Sequence, residues 1–183
     1  MRNIVIAGSS GLGKTFLEEE LEKRGVSFQL PKYFDREARA SERRDKNIPL
    51  SREEWKKSDK EFFFKLSYNG YNYGWKESDK REGGVSIAIT LKDLEEFLKE
   101  NNDFVPVLLW MREENFKVLE RRMRERGESE EKIAQRMELT KRELEEIEKY
   151  KNIVKSYEGL IFEIKDDRTI FKEVIPEIES LVR

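Results

Sequence analysis

The chain has no cysteine and no histidine, and only 4 prolines and 10 glycines among 183 residues. The first two absences exclude disulfides, thiol nucleophiles, thiolate or imidazole metal sites and histidine acid–base catalysis. Any chemistry therefore rests on Lys, Arg, Asp, Glu, hydroxyl groups and backbone amides. An excess of either charge is missing too: 37 basic residues face 39 acidic ones, a net −2. No global field draws such a chain to nucleic acid or to a membrane, so any basic site must be local. No run of about 18 apolar residues occurs, and the opening "MRNIVIAG" is too short for a signal peptide. The expectation is a soluble cytoplasmic protein.

What is present is a chain that is 37% hydrophobic and 42% charged, sufficient for one core under a heavily charged surface. "NIVIA" (3–7) reads as a buried strand that stops at Gly8. "TFLEEELEKRG" carries Phe16, Leu17 and Leu21 on one helical face and ends at Gly25, and "VSFQL" (26–30) is a second strand closed by Pro31. Strand, glycine loop, helix and strand make the start of a βαβ unit with a parallel sheet. Residues 32–47 read as polar and irregular. Ser51 and Glu54 form a capping box that opens a short helix to about Lys60, and residues 61–75, with an Asn-Gly turn, read as a hairpin. "VSIAIT" (85–90) and "FVPVLLWM" (104–111) are core strands, with Thr90 placed to cap the helix between them. From Glu113 to Tyr157 the pattern is helical, broken at Gly127, with Ser129 as the next cap. "LIFEI" (160–164) and "TIFKEVIPEIESLV" give a last strand and helix. The reading is a three-layer α/β domain with two appended pieces, at 32–83 and 119–150.

The motif that carries chemistry is "GSSGLGKT" (8–15), in which Gly8, Gly13, Lys14 and Thr15 fit G-x-x-x-x-G-K-[ST] between a strand and a helix. In such a loop successive amides from Gly8 through Ser9, Ser10, Gly11 and Leu12 to Gly13 point at phosphate oxygens, and the helix N-terminus adds positive charge. Lys14 is expected to reach the β- and γ-phosphates, and the Thr15 hydroxyl to ligate Mg2+. The expected cofactors are ATP and Mg2+. Neither "VSIAIT" nor "FVPVLLWM" carries the strand-end aspartate by which a switch or motor couples its metal. A kinase is favoured over a GTPase or motor ATPase.

Beyond this loop the chain resembles the guanylate kinase family of nucleoside monophosphate kinases over nearly its whole length. Arg36, Arg39 and Glu42 match that family's R-x-x-R-x-x-E spacing, and "YNGYNYG" (68–74) is similar to its G-N-Y-Y-G segment, with Tyr73 in the place of the last tyrosine. "LERRMRERGESEEKIAQRM" (119–137) looks like its lid, and "IKDDRTIFKEV" (164–174) resembles its stretch near the adenine, with Lys165 replacing an asparagine. The resemblance implies a three-layer α/β/α P-loop kinase fold with a parallel central sheet, a core of 1–31, 84–118 and 151–183, an acceptor-binding insertion at 32–83 and a helical lid at 119–150. It implies that Arg36, Arg39 and Tyr73 grip an acceptor phosphate, that Arg122, Arg126 and Arg136 approach the transferring phosphates, and that Lys165 lies near the adenine. Glu42 would orient the acceptor or hold Arg39. The implied partner is a small phosphorylated acceptor, GMP by default, for a monomer or homodimer with no nucleic acid or membrane partner.

The base-reading positions depart from that pattern. The guanine-reading glutamate falls on Phe64, the hydroxyl residue after Tyr-Gly on Trp75, two strand-end aspartates on Ala88 and Thr90, and a second phosphate-binding tyrosine near Ile48. A guanine edge left unpaired against Phe costs about 1–3 kcal/mol, so the acceptor need not be guanine. The hairpin is close to that of the ribose 1,5-bisphosphate phosphokinase branch of the same fold. Two plainer readings stay open: each arginine also suits a solvated helix partner for a neighbouring Glu, and Phe62 to Phe64 also suit hairpin core. A non-catalytic nucleotide-binding module is the alternative to a kinase.

Overall fold

The computed structural model describes residues 2–38, 42–68, 70–166 and 168–182. Along the chain lie β1 (Asn3–Gly8), α1 (Lys14–Lys23), β2 (Phe28–Gln29), β3 (Lys32–Phe34), β4 (Asn47–Pro49), α2 (Arg52–Ser58), β5 (Phe62–Tyr68) and β6 (Tyr71–Lys76). They are followed by β7 (Val85–Ile89), α3 (Leu94–Glu100), β8 (Phe104–Trp110), α4 (Phe116–Glu125), α5 (Glu130–Glu145), α6 (Ile147–Ser156), β9 (Leu160–Glu163) and α7 (Ile175–Val182). Five strands form one parallel sheet in the order β2-β7-β1-β8-β9, with Ile4 paired to Ser86 on one side and to Val105 on the other.

A parallel sheet of this kind is covered on both faces, which explains why β8 is apolar throughout and β1 is apolar from Ile4 onward. Alternate residues of β1 serve different layers. Ile4 and Ile6 pack with Leu17 and Leu21 of α1, Leu119 and Met123 of α4, and Ile175 and Ile178 of α7. Val5 and Ala7 face the other layer, with Leu94, Phe97 and Leu98 of α3 and Tyr150 and Val154 of α6. The expected three-layer α/β architecture is present.

A second sheet, in the order β4-β3-β6-β5, stands beside the first. The expected hairpin is β5 and β6, paired from Lys65 with Gly74 to Tyr68 with Tyr71. The stretch at 32–47, expected to be irregular, contributes β3 and starts β4. Each is three residues long, too short for a periodic signal. β3 forms because β6 offers a pairing edge, Tyr33 to Gly74 and Phe34 to Tyr73, and because Phe34 is fully buried.

Both expected serine caps are present. Ser51 accepts from the Glu54 N–H at 3.2 Å while Glu54 accepts from the Ser51 N–H at 2.7 Å, and Ser129 accepts from the Lys132 N–H at 3.4 Å. Thr90 is no cap, contrary to expectation. α3 starts at Leu94 with Asp93 before it, and the Thr90 hydroxyl instead donates to the Asp93 carboxylate. The long charged run breaks at Gly127, as expected, and also between α5 and α6 at Glu146, where no glycine or proline marks it. Among the described residues no helix is long and apolar enough to cross a membrane.

Candidate functional site

The loop from Gly8 to Gly13 leaves the carboxyl end of β1 and enters α1. Two of its glycines have a steric reason. A Cβ on Gly8 would meet the Leu109 carbonyl oxygen at 2.5 Å, and Gly13 precedes the helix at φ +91°, which L side chains rarely adopt. No acidic residue occupies the first turn of α1, so its exposed amides face one cavity of about 720 Å3 with their positive end uncompensated. Gly8, Ser10, Gly11, Gly13, Lys14 and Thr15 line that cavity. Ser9 and Leu12 do not; Leu12 is buried in the core.

Lys14 folds back over the loop, its Nζ donating to the Gly8 carbonyl at 2.5 Å and the Ser9 carbonyl at 2.9 Å. Burial is the main reason its pKa is lowered to about 8. Lys32 and Arg126 push in the same direction, and the carboxylates of Glu143 and Glu18 oppose them. The cation is held where it is poorly hydrated, which favours an arriving anion. Glu18, one turn further along α1, is itself buried. Desolvation pushes its carboxyl up to about 8 despite Lys32, Lys14 and a 3.4 Å hydrogen bond from the Gln29 amide.

The arginines of α4 and α5 reach the same loop. Arg122 donates to the Gly11 carbonyl at 2.8 Å, and Arg136 donates to the Ser10 hydroxyl at 2.9 Å and to Glu128 at 3.0 Å. Arg126 pairs with Glu128 at 3.2 Å and donates to the Arg122 carbonyl at 3.3 Å. All three arginines line the cavity. Two carboxylates that the sequence did not single out complete the arrangement. Glu128 bridges Arg126 and Arg136, and Glu143 of α5 accepts from the Ser9 side chain, with burial raising its pKa.

Opposite the loop lie Arg36, Glu42 and Tyr73, again on the cavity wall. Arg36 makes a two-pronged ion pair with Glu42, one prong at 2.9 Å, and its Nε donates to the Tyr73 hydroxyl at 3.2 Å. The guanidinium also lies 4.1 Å from the centre of the Phe34 ring, which fixes its plane. Glu42 holds Arg36. Arg39, the other expected phosphate-gripping residue, lies outside the described residues. Lys32, Arg43 and Asn47 add further polar wall.

The positions expected to read a base divide between cavity and core. Phe64 is 5% exposed and packs edge-on against Phe97 at 4.8 Å, as hairpin core. Leu66, Tyr68, Tyr73, Trp75, Ala88 and Thr90 do line the cavity, giving it an aromatic and aliphatic wall; Ile48 does not, and its neighbour Asn47 does. Lys165 is exposed and does not line the cavity, its N–H donating to the Thr169 hydroxyl at 3.3 Å. Ile170 and Phe171 reach the cavity instead, and Phe171 packs edge-on to Phe16 at 5.4 Å. For Mg2+ the chain offers the Thr15 hydroxyl; among the described residues no group of three or more acidic side chains converges to hold a metal.

Comparison with solved structures identifies a similar one, the guanylate kinase of Anaplasma phagocytophilum, with a TM-score of 0.67 and 15% sequence identity over 99% of this chain and 86% of that one. The likeness is one of fold. No protein-family model matches the chain, and no curated protein matches it.

Proposed function

We propose that this chain is a phosphotransferase that moves the γ-phosphoryl group of ATP onto the phosphate of a small phosphorylated acceptor, with GMP the first acceptor to test. One observation carries the reading. The glycine loop with Lys14 and Thr15, the three arginines of α4 and α5, and the Arg36–Tyr73 pair all line one cavity. Two anions brought together need cations from several directions, and the lining of this cavity supplies them.

An acceptor phosphate oxygen would attack the γ-phosphorus as the bond from that phosphorus to the β,γ-bridging oxygen breaks, so that ADP leaves and a new phosphoanhydride forms. The attacking oxygen is already an anion, so no general base is required, which suits a chain without histidine. Lys14 and the loop amides would hold the donor phosphates, with Arg122, Arg126 and Arg136 sharing the charge of the group in transfer. Residues 119–150 would act as a lid turning at Gly127, and residues 32–83 would bear the acceptor through Arg36, Arg39 and Tyr73. The donor base would lie toward Phe16, Ile170 and Phe171, with Lys165 at its outer edge. Thr15 would hold Mg2+, which supplies charge neutralisation across the phosphates when bound. A second reading has its own support. The wall of Leu66, Tyr68, Trp75 and Ala88 offers little to the polar edge of guanine, so an acceptor other than GMP, such as a sugar phosphate, fits the site as well.

Incubation with Mg-ATP and a panel of nucleoside monophosphates and sugar phosphates tests the reading through ADP release. Turnover on one acceptor supports a kinase. Tight ATP binding with no turnover across the panel overturns it in favour of a non-catalytic nucleotide-binding module.

A further inference from the structure

Glu128 lies in the turn between α4 and α5, and two caps fix its backbone. The Gly127 N–H donates to the Arg124 carbonyl at 2.9 Å and the Glu128 N–H to the Met123 carbonyl at 3.2 Å, which together close α4. Ser129 then caps α5. Held between these ends, the Glu128 carboxylate sits between Arg126, at the close of α4, and Arg136 of α5. A single oxygen, Oε1, serves both: it lies 3.2 Å from Arg126 Nη2 and accepts from Arg136 Nη1 at 3.0 Å. The same Arg136 nitrogen donates to the Ser10 hydroxyl of the glycine loop at 2.9 Å. A chain of contacts therefore runs from the α4–α5 turn to the loop.

The plain structural alternative is a staple that holds the two helices together. Its energetics are poor for that task. The side chains of Arg136 and Glu128 are 11% and 12% exposed, and withdrawing two charges from water can cost more than their attraction returns. The second oxygen, Oε2, is buried with no hydrogen-bond partner among the described residues, a further cost. What the arrangement does well is orient. Among the described residues both bonds of the Arg136 side chain leave from Nη1, so Nε and Nη2 remain for an anion in the cavity that Arg136 lines. The carboxylate also lets two arginines that would otherwise repel stand at the wall of one cavity. Glu128 does not itself line that cavity, so it touches the arginines and not their ligand.

We propose that Glu128 is a positioning residue of the phosphoryl transfer, setting the guanidinium of Arg136, with Arg126 beside it, for the group in transfer. This rests on the kinase reading of the site. A guanidinium fixed in advance meets the developing charge without reorganising, which lowers the barrier to transfer. Lys14 and the loop amides would hold the donor phosphates, and Arg36 the acceptor phosphate, so the effect belongs to kcat and not to binding.

The test compares wild type with Glu128→Gln and Glu128→Ala, each made also in an Arg136→Ala background, using Mg-ATP and the best acceptor of the panel. Glu128→Ala is expected to lower kcat about 100-fold while both KM values stay within about threefold. Glu128→Gln keeps an accepting oxygen but no charge, and should lose about tenfold. With Arg136 already removed, either substitution should cost less than it does in wild type, because its target is gone. Should Glu128→Ala fail to fold, Glu128→Gln, of the same shape, carries the comparison. A kcat of Glu128→Gln within about twofold of wild type overturns this inference alone. So does a loss just as large in the absence of Arg136, which marks a structural staple, or a rise in either KM that matches the fall in kcat. A wild-type protein without turnover on any acceptor overturns the kinase reading, and this inference with it.

Discussion

Glu18→Gln is expected to stabilise the fold, a result opposite to that of most buried substitutions. The Glu18 side chain is on the core side of α1, its residue 3% exposed, and its carboxyl is pushed up to about 8 from an ordinary value of 4.5. At pH 7 the unfolded chain holds the group ionised while the fold holds it mostly protonated. At that pH the cost is set by the roughly 2.5 pH units between the ordinary value of 4.5 and neutrality, roughly 3 kcal/mol, an upper bound given the nearby Lys32 and Lys14. The sign follows from proton binding. The raised group contributes stability in full below its unfolded value, and that contribution is lost as pH rises toward about 8, because the folded state binds the extra proton across this window. An amide at position 18 needs no proton, and its N–H can donate to the Gln29 side-chain oxygen, which is buried without a partner among the described residues. Urea unfolding of both proteins from about pH 5 to about pH 8 provides the measurement. The variant should match wild type at the acid end and gain 1–3 kcal/mol, roughly, at the alkaline end. A variant less stable throughout, with a parallel pH profile, would refute the reasoning and show Glu18 as an ionised partner of Lys32.

Three further outcomes are expected. Gly8→Ala should cost about 2–4 kcal/mol or displace the loop, because its Cβ would press on the rigid Leu109 carbonyl oxygen; unchanged thermal unfolding and unchanged ATP affinity would contradict that. Triphosphate affinity should fall as pH rises through about 8, where Lys14 of the free protein loses its proton, and calorimetry showing flat affinity well above that pH would remove Lys14 from the phosphate site. Glu42→Gln should lower the acceptor KM and leave ATP affinity within about twofold, since Arg36 keeps Phe34 and Tyr73 as supports while losing a competing carboxylate; equal effects on donor and acceptor would separate Arg36 from the acceptor.

The parts of this site that the sequence made legible are those where backbone geometry restricts residue choice. Gly13, with its left-handed φ, and Gly8, packed on a carbonyl, leave a spaced glycine signature, and strands buried on both faces leave unbroken apolar runs such as "FVPVLLW". Ser51 and Ser129 were readable because a cap needs a short hydroxyl side chain at one position. Glu143, Glu128 and Lys32 were not readable. In a chain that is 42% charged, a carboxylate turned onto the glycine loop has the same local pattern as one turned to solvent, and only the packing of α5 and β3 separates them. The weak clue to Lys32 was its place just beyond an edge strand, at the carboxyl end of the sheet, where ligands of such folds collect. β3 and β4 escaped notice because their stability comes from pairing with β6 and with each other, a long-range property. Glu42, expected to orient the acceptor or to hold Arg39, pairs with Arg36, a tertiary contact that the spacing of these residues does not by itself specify.

Titration of Mg-ATP into wild type and Lys14→Ala, followed by calorimetry, tests the phosphate site most directly. Saturable heat with one site per chain in wild type, lost in a variant that unfolds at or above the wild-type temperature, is the predicted result. No heat in wild type, or undiminished heat in the variant, would contradict the account.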